Sequence, residues 1–345
     1  MNILETKPTI LNPLHKNDFK TLQKLKRKNT VVDHHKEQLR ELFLVRHPKL
    51  KFDPKSANLG IDSTDKGRWV YFPWNRHLVH LLSPREYFEL RTARNKNLIT
   101  EKEQKAFQKY KIGIAGLSVG NSAALDMVLE GAEILRLADF DTLSLSNLNR
   151  IRAGAHNLGE NKTMISAKQI YELNPYSKLT LFPNGVGKDV ERFTFGLDVI
   201  VDEIDDVYMK IKLRLAAKKS KIPVVSAADN GDNSIVDVER FDLEPKRPIF
   251  HGMLGKTDLT MIKNYDFRQR LKLINKMVGL KYVTKRMKES LAVVGKKIYS
   301  WPQLGGAASL SGSAVAYAVR RIALGHTMKS GKYNISLDRV FGNKN

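Results

Sequence analysis

The chain contains no cysteine. That absence excludes disulfides, cysteine-based zinc sites, a thiol nucleophile and any thioester carried on this polypeptide. Acidic residues are also outnumbered: 36 Asp and Glu stand against 59 Lys and Arg in 345 residues, a net charge of +23. A field of that sign attracts nucleotides, phosphates, acidic proteins, RNA or anionic lipid, although lysines scattered along a chain also serve solubility alone. The opening MNILETKPTILNPLHKNDFK lacks the unbroken apolar core of a signal peptide, so a cytoplasmic location is expected. Residues 298–319 carry no charge, yet Pro302, Gly305, Gly306, Gly312 and several serines leave too little apolar mass for a bilayer span. No membrane partner is expected. His34, His35, His156 and His251 lack metal-ligand spacing, and no zinc site is expected.

What is present is a globular composition, 42% hydrophobic, at a length suited to about two domains. Residues 1–90 read as a separate basic N-terminal α+β domain. KTLQKLKRK and KEQLRELFLVRHPKLK have the pattern of amphipathic helices, and RWVYFPW that of an aromatic strand. Residues 91–110 are polar and mostly helical, with Thr100 and Glu103 spaced as a capping box. From residue 111 apolar runs alternate with helical patterns: KIGIAG, ILRLADF, KLTLF, DVIVD, IPVVSAAD and SIVDVERF read as strands. That alternation predicts an open, doubly wound, mostly parallel α/β sheet over residues 91–330, with 331–345 as a C-terminal tail. LGGAASLSGSAVAYAVRRIALG reads as a small-residue helix made for close packing.

In such a sheet ligands bind beyond the carboxyl ends of the strands, and four stretches there carry chemistry. GLSVG, with Gly116, Ser118 and Gly120, joins a strand to a helix and so presents backbone N–H groups and a positive helix end to phosphate. The same residues match G-x-S-x-G, which leaves open a serine hydrolase with Ser118 as nucleophile, Asp205 or Asp229 as acid and His251 as base. Asp139 follows Gly116 by 23 residues, near the distance of about 20 at which a dinucleotide fold places its ribose-binding acid. Asp141 shares its face if the strand persists. SLSNLNR then supplies Asn147 and Arg150, and Lys162 opens the next helix. Arg and Lys together suit a triphosphate, whose charge must be neutralised before a nucleophile approaches. In VDEIDD, Asp202, Glu203, Asp205 and Asp206 repel one another unless a cation or helix end compensates. Asp206 suits a helix N-cap and Asp205 a Mg²⁺ ligand.

Taken in order, RTARN, the glycine turn, LADFDTLSLSNLNR, GENK ending at Lys162, and VDEIDD resemble the ThiF/MoeB/HesA family, the bacterial relatives of ubiquitin-activating enzymes. The resemblance covers residues 91 to about 240. It implies an adenylyltransferase that uses ATP and Mg²⁺ to activate a carboxylate, usually the C-terminus of a ubiquitin-like or carrier protein. It further implies that Asp139 binds the ribose, that Asn147, Arg150 and Lys162 contact phosphates and that Asp205 holds Mg²⁺. Arg94 matches the arginine that family members insert into a neighbouring subunit's site, which implies a homodimer. The sequence departs from the family in its short glycine turn, in Asp206 where many members have Asn, and in lacking the cysteines for thioester and zinc. IDDVYMK followed by KKSKIPVVS is similar to the branch that cyclises threonylcarbamoyl-adenosine in tRNA. A further alternative is a nucleotide- or partner-binding module without catalysis.

Overall fold

The computed structural model describes residues 6–52, 65–255 and 258–342. The first five residues of the N-terminal stretch and the last three of the C-terminal tail lie outside the described residues. The chain divides into two compact units. One comprises residues 1–105, 129–131 and 167–177, the other residues 106–128, 132–166 and 178–345.

The first unit is built on four short strands, β1 (Thr9–Leu11), β2 (Thr30–Asp33), β3 (Arg68–Phe72) and β4 (His77–Leu81), in the order β1-β3-β4-β2. Helices α1 (Lys16–Lys26), α2 (His35–Arg46) and α3 (Pro84–Arg91) accompany them, and α4 (Glu101–Lys109) begins here. The aromatic run forms β3, and its Trp69 packs with Leu11, Leu22 and Leu78 into a small core. Trp69 also stacks on His80, and His80 on His35, at centroid separations of 4.3 and 4.2 Å. The capping box forms as expected: Thr100 N–H donates to Glu103 at 2.8 Å and Glu103 N–H to the Thr100 hydroxyl at 3.3 Å.

The second unit is organised by a seven-stranded sheet of β5 (Lys111–Ala115), β6 (Ile134–Ala138), β7 (Lys178–Phe182), β8 (Val199–Asp202), β9 (Val224–Asn230), β10 (Asn233–Glu239) and β11 (Gly331–Ile335). Their order is β11-β10-β9-β8-β5-β6-β7. Strands β5 to β9 pair in parallel, whereas β10 and β11 add antiparallel to β9. The mostly parallel α/β sheet expected from the alternating pattern is therefore present. Residues 331–335, assigned to a tail from the sequence, supply its edge strand. Strands β5 and β8 are apolar almost without interruption because both faces are covered: Ile112, Ile114, Val199, Ile200 and Val201 are wholly buried.

The remaining helices are α5 (Val119–Leu129), α6 (Lys162–Leu173), α7 (Val190–Thr194), α8 (Val207–Lys219), α9 (Leu259–Ile262), α10 (Phe267–Val278), α11 (Lys285–Val293), α12 (Gly305–Ala323) and α13 (Leu337–Val340). The small-residue helix is α12, which lies on β9 and β10. A Cβ on its Gly312 would come within 2.5 Å of the Ser122 side chain in α5, so the two helices approach more closely than larger residues allow. No described helix is long and apolar enough to cross a membrane.

The strand order places β6 and β7 on one side of β5 and β8 and β9 on the other. The carboxyl ends of β5 and β8 therefore flank a topological switch point, the crevice in which open α/β sheets bind ligands.

Candidate active site

Three predicted stretches meet at this switch point because each follows a parallel strand. The glycine turn leaves β5 at Gly116, whose φ of +89° is a conformation that favours glycine. Space requires glycine as well, since a Cβ there would lie 2.2 Å from the Glu203 carbonyl oxygen. The turn is held by Asp139 at the end of β6, which accepts from the Leu117 N–H at 2.7 Å and the Asp141 N–H at 2.8 Å. Burial raises the Asp139 pKa, while the Lys162 charge and the two N–H groups draw it down.

Behind Asp139, the chain of ADFD is pinned by the start of α6. The Asn161 side-chain amide donates to the carbonyls of Asp139, Asp141 and Pro183, and the Thr163 hydroxyl donates to the Asp139 carbonyl at 2.9 Å. Lys162 between them is only 8% exposed, and its ammonium pairs with Asp141 at 2.8 Å. Asn161 and Thr163 were not singled out from sequence. They flank Lys162 in ENKT, and the signal was available in their polarity at the opening of a helix.

SLSNLNR forms a 3₁₀ turn, Leu145–Asn147. The Asn147 side chain accepts the Ser144 N–H at 3.0 Å, so it closes the turn that carries Arg150. Arg150 reaches the glycine turn, its Nε donating to the Ser118 hydroxyl at 3.1 Å. Burial lowers the Arg150 pKa against the opposing charges of Asp205 and Asp229, which lie in its field from the ends of β8 and β9.

The crowded carboxylates after β8 divide their tasks. Asp202 is wholly buried and is met by Arg214 and, at 3.4 Å, by Lys210. Glu203 accepts the Ala227 N–H at 2.8 Å. Burial raises its pKa, with Lys210 pulling the other way. Asp206 caps α8 as expected, accepting the Met209 N–H at 2.9 Å. Asp205 remains exposed and takes no hydrogen bond or ion pair among the described residues. Much of the compensation that the acidic run requires thus comes from Lys210 and Arg214, cations of the chain itself. Among the described residues no group of three His, Asp or Glu could hold a metal alone. Asp205, exposed and without an ion pair among the described residues, is free to hold an ion whose other ligands are phosphate oxygens, a mode open to Mg²⁺.

Arg150 bonds to Ser118 of the glycine turn that begins at Gly116, Asp139 bonds to Leu117 of the same turn and to Asp141, Lys162 pairs with Asp141, and Asp205 lies within the electrostatic reach of Arg150. Gly120 sits in the first turn of α5, where a Cβ would meet Ile114 of β5 at 3.0 Å, so it serves close helix–strand packing. Arg94 belongs to the first unit and is exposed in the turn Ala93–Asn95. The serine-hydrolase arrangement is not formed. Ser118 is engaged by Arg150, while His251 bonds to Asp237 at 2.8 Å and to Arg247, away from Ser118, Asp205 and Asp229. A cavity of 690 Å³ beside α10, lined by Met253, Tyr265, Lys272, Leu273 and Lys276 among others, contains none of the predicted site residues.

The sequence profile of the ThiF family matches residues 92–314. An uncharacterized protein of Mycobacterium tuberculosis (strain CDC 1551 / Oshkosh) is 39% identical over 279 residues, which cover 79% of this chain and 39% of that protein. The tRNA threonylcarbamoyladenosine dehydratase of Escherichia coli (strain K12) is 27% identical over 177 residues, 48% of this chain and 66% of that one. The molybdopterin-synthase adenylyltransferase of the same organism is 28% identical over 166 residues, 46% of this chain and 66% of that one. The chain thus spans about two fifths of the first relative and just under two thirds of the other two.

Proposed function

Because the chain belongs to the ThiF family, we propose that it is an ATP-dependent adenylyltransferase that activates a carboxylate as an acyl-adenylate. The observation that carries this reading is the linkage of Arg150, Asp139 and Lys162 to one glycine turn at the switch point of the sheet. In the reaction, a carboxylate oxygen of the acceptor attacks the α-phosphorus of ATP. The bond to the bridging oxygen breaks and pyrophosphate leaves. Two anions must approach, so the chain's task is neutralisation and positioning rather than proton transfer.

Asp139 would receive the ribose hydroxyls, and the N–H groups at the start of α5 would face phosphate. Arg150 and Lys162 would neutralise the phosphates, Asn147 acting by closing the turn that presents Arg150. Asp205 would hold Mg²⁺, which supplies charge neutralisation to the phosphates when bound. Arg94 would complete the site of a second copy in a homodimer. No cysteine is present to receive the acyl group, so the adenylate passes to water, an amine or a partner. Exchange of labelled pyrophosphate into ATP, measured across ubiquitin-like proteins, peptides and small acids, tests the reaction. Exchange with one acceptor class supports it, and failure of the wild type to bind ATP at all overturns it.

A second reading places the acceptor on tRNA, as a threonylcarbamoyl carboxylate. It is favoured by the dehydratase among the relatives and by the net charge of +23, which suits phosphate contacts. Salt-dependent tRNA binding together with tRNA-stimulated pyrophosphate exchange would select it over a carrier-protein acceptor.

A further inference from the structure

Arg150 is carried on an irregular loop, residues 142–161, that leaves β6 and returns at α6. A loop of that length does not place a guanidinium by itself, and the contacts on its far side decide where Arg150 points. They run to Gln303, to which neither the motifs nor the family resemblance gave a role, and to Asp229, read from the sequence only as a candidate hydrolase acid. The Arg150 Nη1 donates to the Asn149 side-chain oxygen at 2.9 Å, and the Asn149 amide donates to the Gln303 carbonyl at 2.7 Å. Gln303 precedes α12, and its own amide donates to Asp229 at 3.2 Å. Asp229, at the end of β9, is 6% exposed and also accepts the Ser311 hydroxyl at 2.8 Å. Ser311 in turn bonds to Ser234 of β10 at 2.8 Å. A continuous bonded path therefore leads from the sheet, through Asp229, Gln303 and Asn149, to Arg150.

Two further features fit a seat rather than an incidental contact. The start of α12 is pressed against the loop backbone, since a Cβ on Gly305 would lie 2.5 Å from the Asn149 carbonyl oxygen. Asp229 is a buried carboxylate with only neutral hydrogen-bond donors, and such a group is costly unless a positive charge faces it. Arg150 supplies that charge, while Asp205 opposes it. One face of the guanidinium is thus occupied by Ser118, Ser146 and Asn149, and its Nη2 makes no hydrogen bond among the described residues.

We propose that Gln303 and Asp229 form a clasp that positions Arg150, tying the arginine's loop to the ends of β9 and α12 so that Nη2 is held ready for an anionic ligand. They are positioning residues, and the clasp rests on the adenylyltransferase reading for its consequence but not for its existence. The test combines two readouts on Gln303→Ala and Gln303→Glu. The first is hydrogen exchange of the segment 144–152 without nucleotide. Gln303→Ala should speed exchange there at least about fivefold while leaving β5 and α6 unchanged. Gln303→Glu places two carboxylates face to face at neutral pH, so it should loosen the segment at least as much. Its protection should return as the pH falls, because a protonated Glu can donate to Asp229 as the amide did. Gln303→Ala should show no such recovery.

The second readout is turnover. In pyrophosphate exchange, Gln303→Ala should lose roughly tenfold or more in kcat with a smaller rise in KM for ATP, because Arg150 keeps its charge at the site but is misplaced for the transition state. Unchanged exchange at 144–152, or identical pH behaviour of the two variants, overturns the clasp even if the enzyme is active. A wild type that fails to bind ATP overturns the functional reading, while the hydrogen-exchange result still decides the clasp.

Discussion

At the scale of single residues, Asp139 serves the fold and the site together. Its two oxygens hold the N–H groups of Leu117 and Asp141, so the residue read as a ribose ligand also fixes the turn that would cradle phosphate. Asp139→Asn retains the shape but turns an amide N–H₂ toward one of those donors, leaving a buried mismatch worth about 1–3 kcal/mol. It should lower the melting temperature by several degrees and weaken ATP binding at least about tenfold, checked by calorimetry of both processes. Arg150→Ala makes the opposite case. It removes the positive charge that faces the buried Asp229 but breaks no ion pair at bonding distance, so the melting temperature should fall by less than in Asp139→Asn while pyrophosphate exchange falls about 10²-fold. These roles were legible to different degrees. Asp139, Arg150 and Lys162 carried their charge type and strand-end position in the sequence. Gln303 and Asp229 lie some 150 and 80 residues from Arg150 in the chain, and no local pattern joins residues brought together only by the packing of α12 on β9.

Elements explain why the glycine turn can be short. β5 ends at Ala115, the backbone turns at Gly116 with positive φ beneath the Glu203 carbonyl, and α5 starts two residues later with Val119 and Gly120. Gly116→Ala would combine a strained backbone, costing roughly 1–3 kcal/mol, with a clash against main chain that cannot rotate away. The variant should be strongly destabilised or insoluble, and a circular dichroism melt matching the wild type would contradict this placement. Elements were also where the sequence was clearest. Strands β5 to β9 are short, largely apolar runs bounded by turn residues, and β5 and β8 are buried at nearly every position. β11 is not legible because Gly331–Ile335 is a short, partly exposed edge strand with only two large apolar residues, Tyr333 and Ile335. The acidic run after β8 calls for a cation or a helix end from its sequence alone, and the identity of the cations is not legible there because Lys210 and Arg214 come from α8 and become partners only once that helix folds back.

Across the whole molecule, carboxylates buried against basic side chains contribute to the response to acid, Asp237 among them. Burial alone would raise the pKa of Asp237, but the hydrogen bond from His251 and the charge of Lys332 outweigh it and hold the carboxyl far below its usual range. A depressed folded-state pKa contributes stability above the unfolded value of about 3.9 and loses it as the pH falls through the folded value. Asp237→Asn should therefore lower the urea midpoint at pH 7, and the difference from wild type should shrink as the pH drops below about 4. A difference independent of pH would contradict the assignment.

The binding of a triphosphate at the switch point is tested most directly by titrating ATP, with and without Mg²⁺, into the wild type and into the Arg150→Ala and Lys162→Ala variants. Saturable binding by the wild type, tightened by Mg²⁺ and weakened at least about tenfold in each variant, is the expected result. No binding by the wild type, or equal affinity in all three proteins, would contradict it.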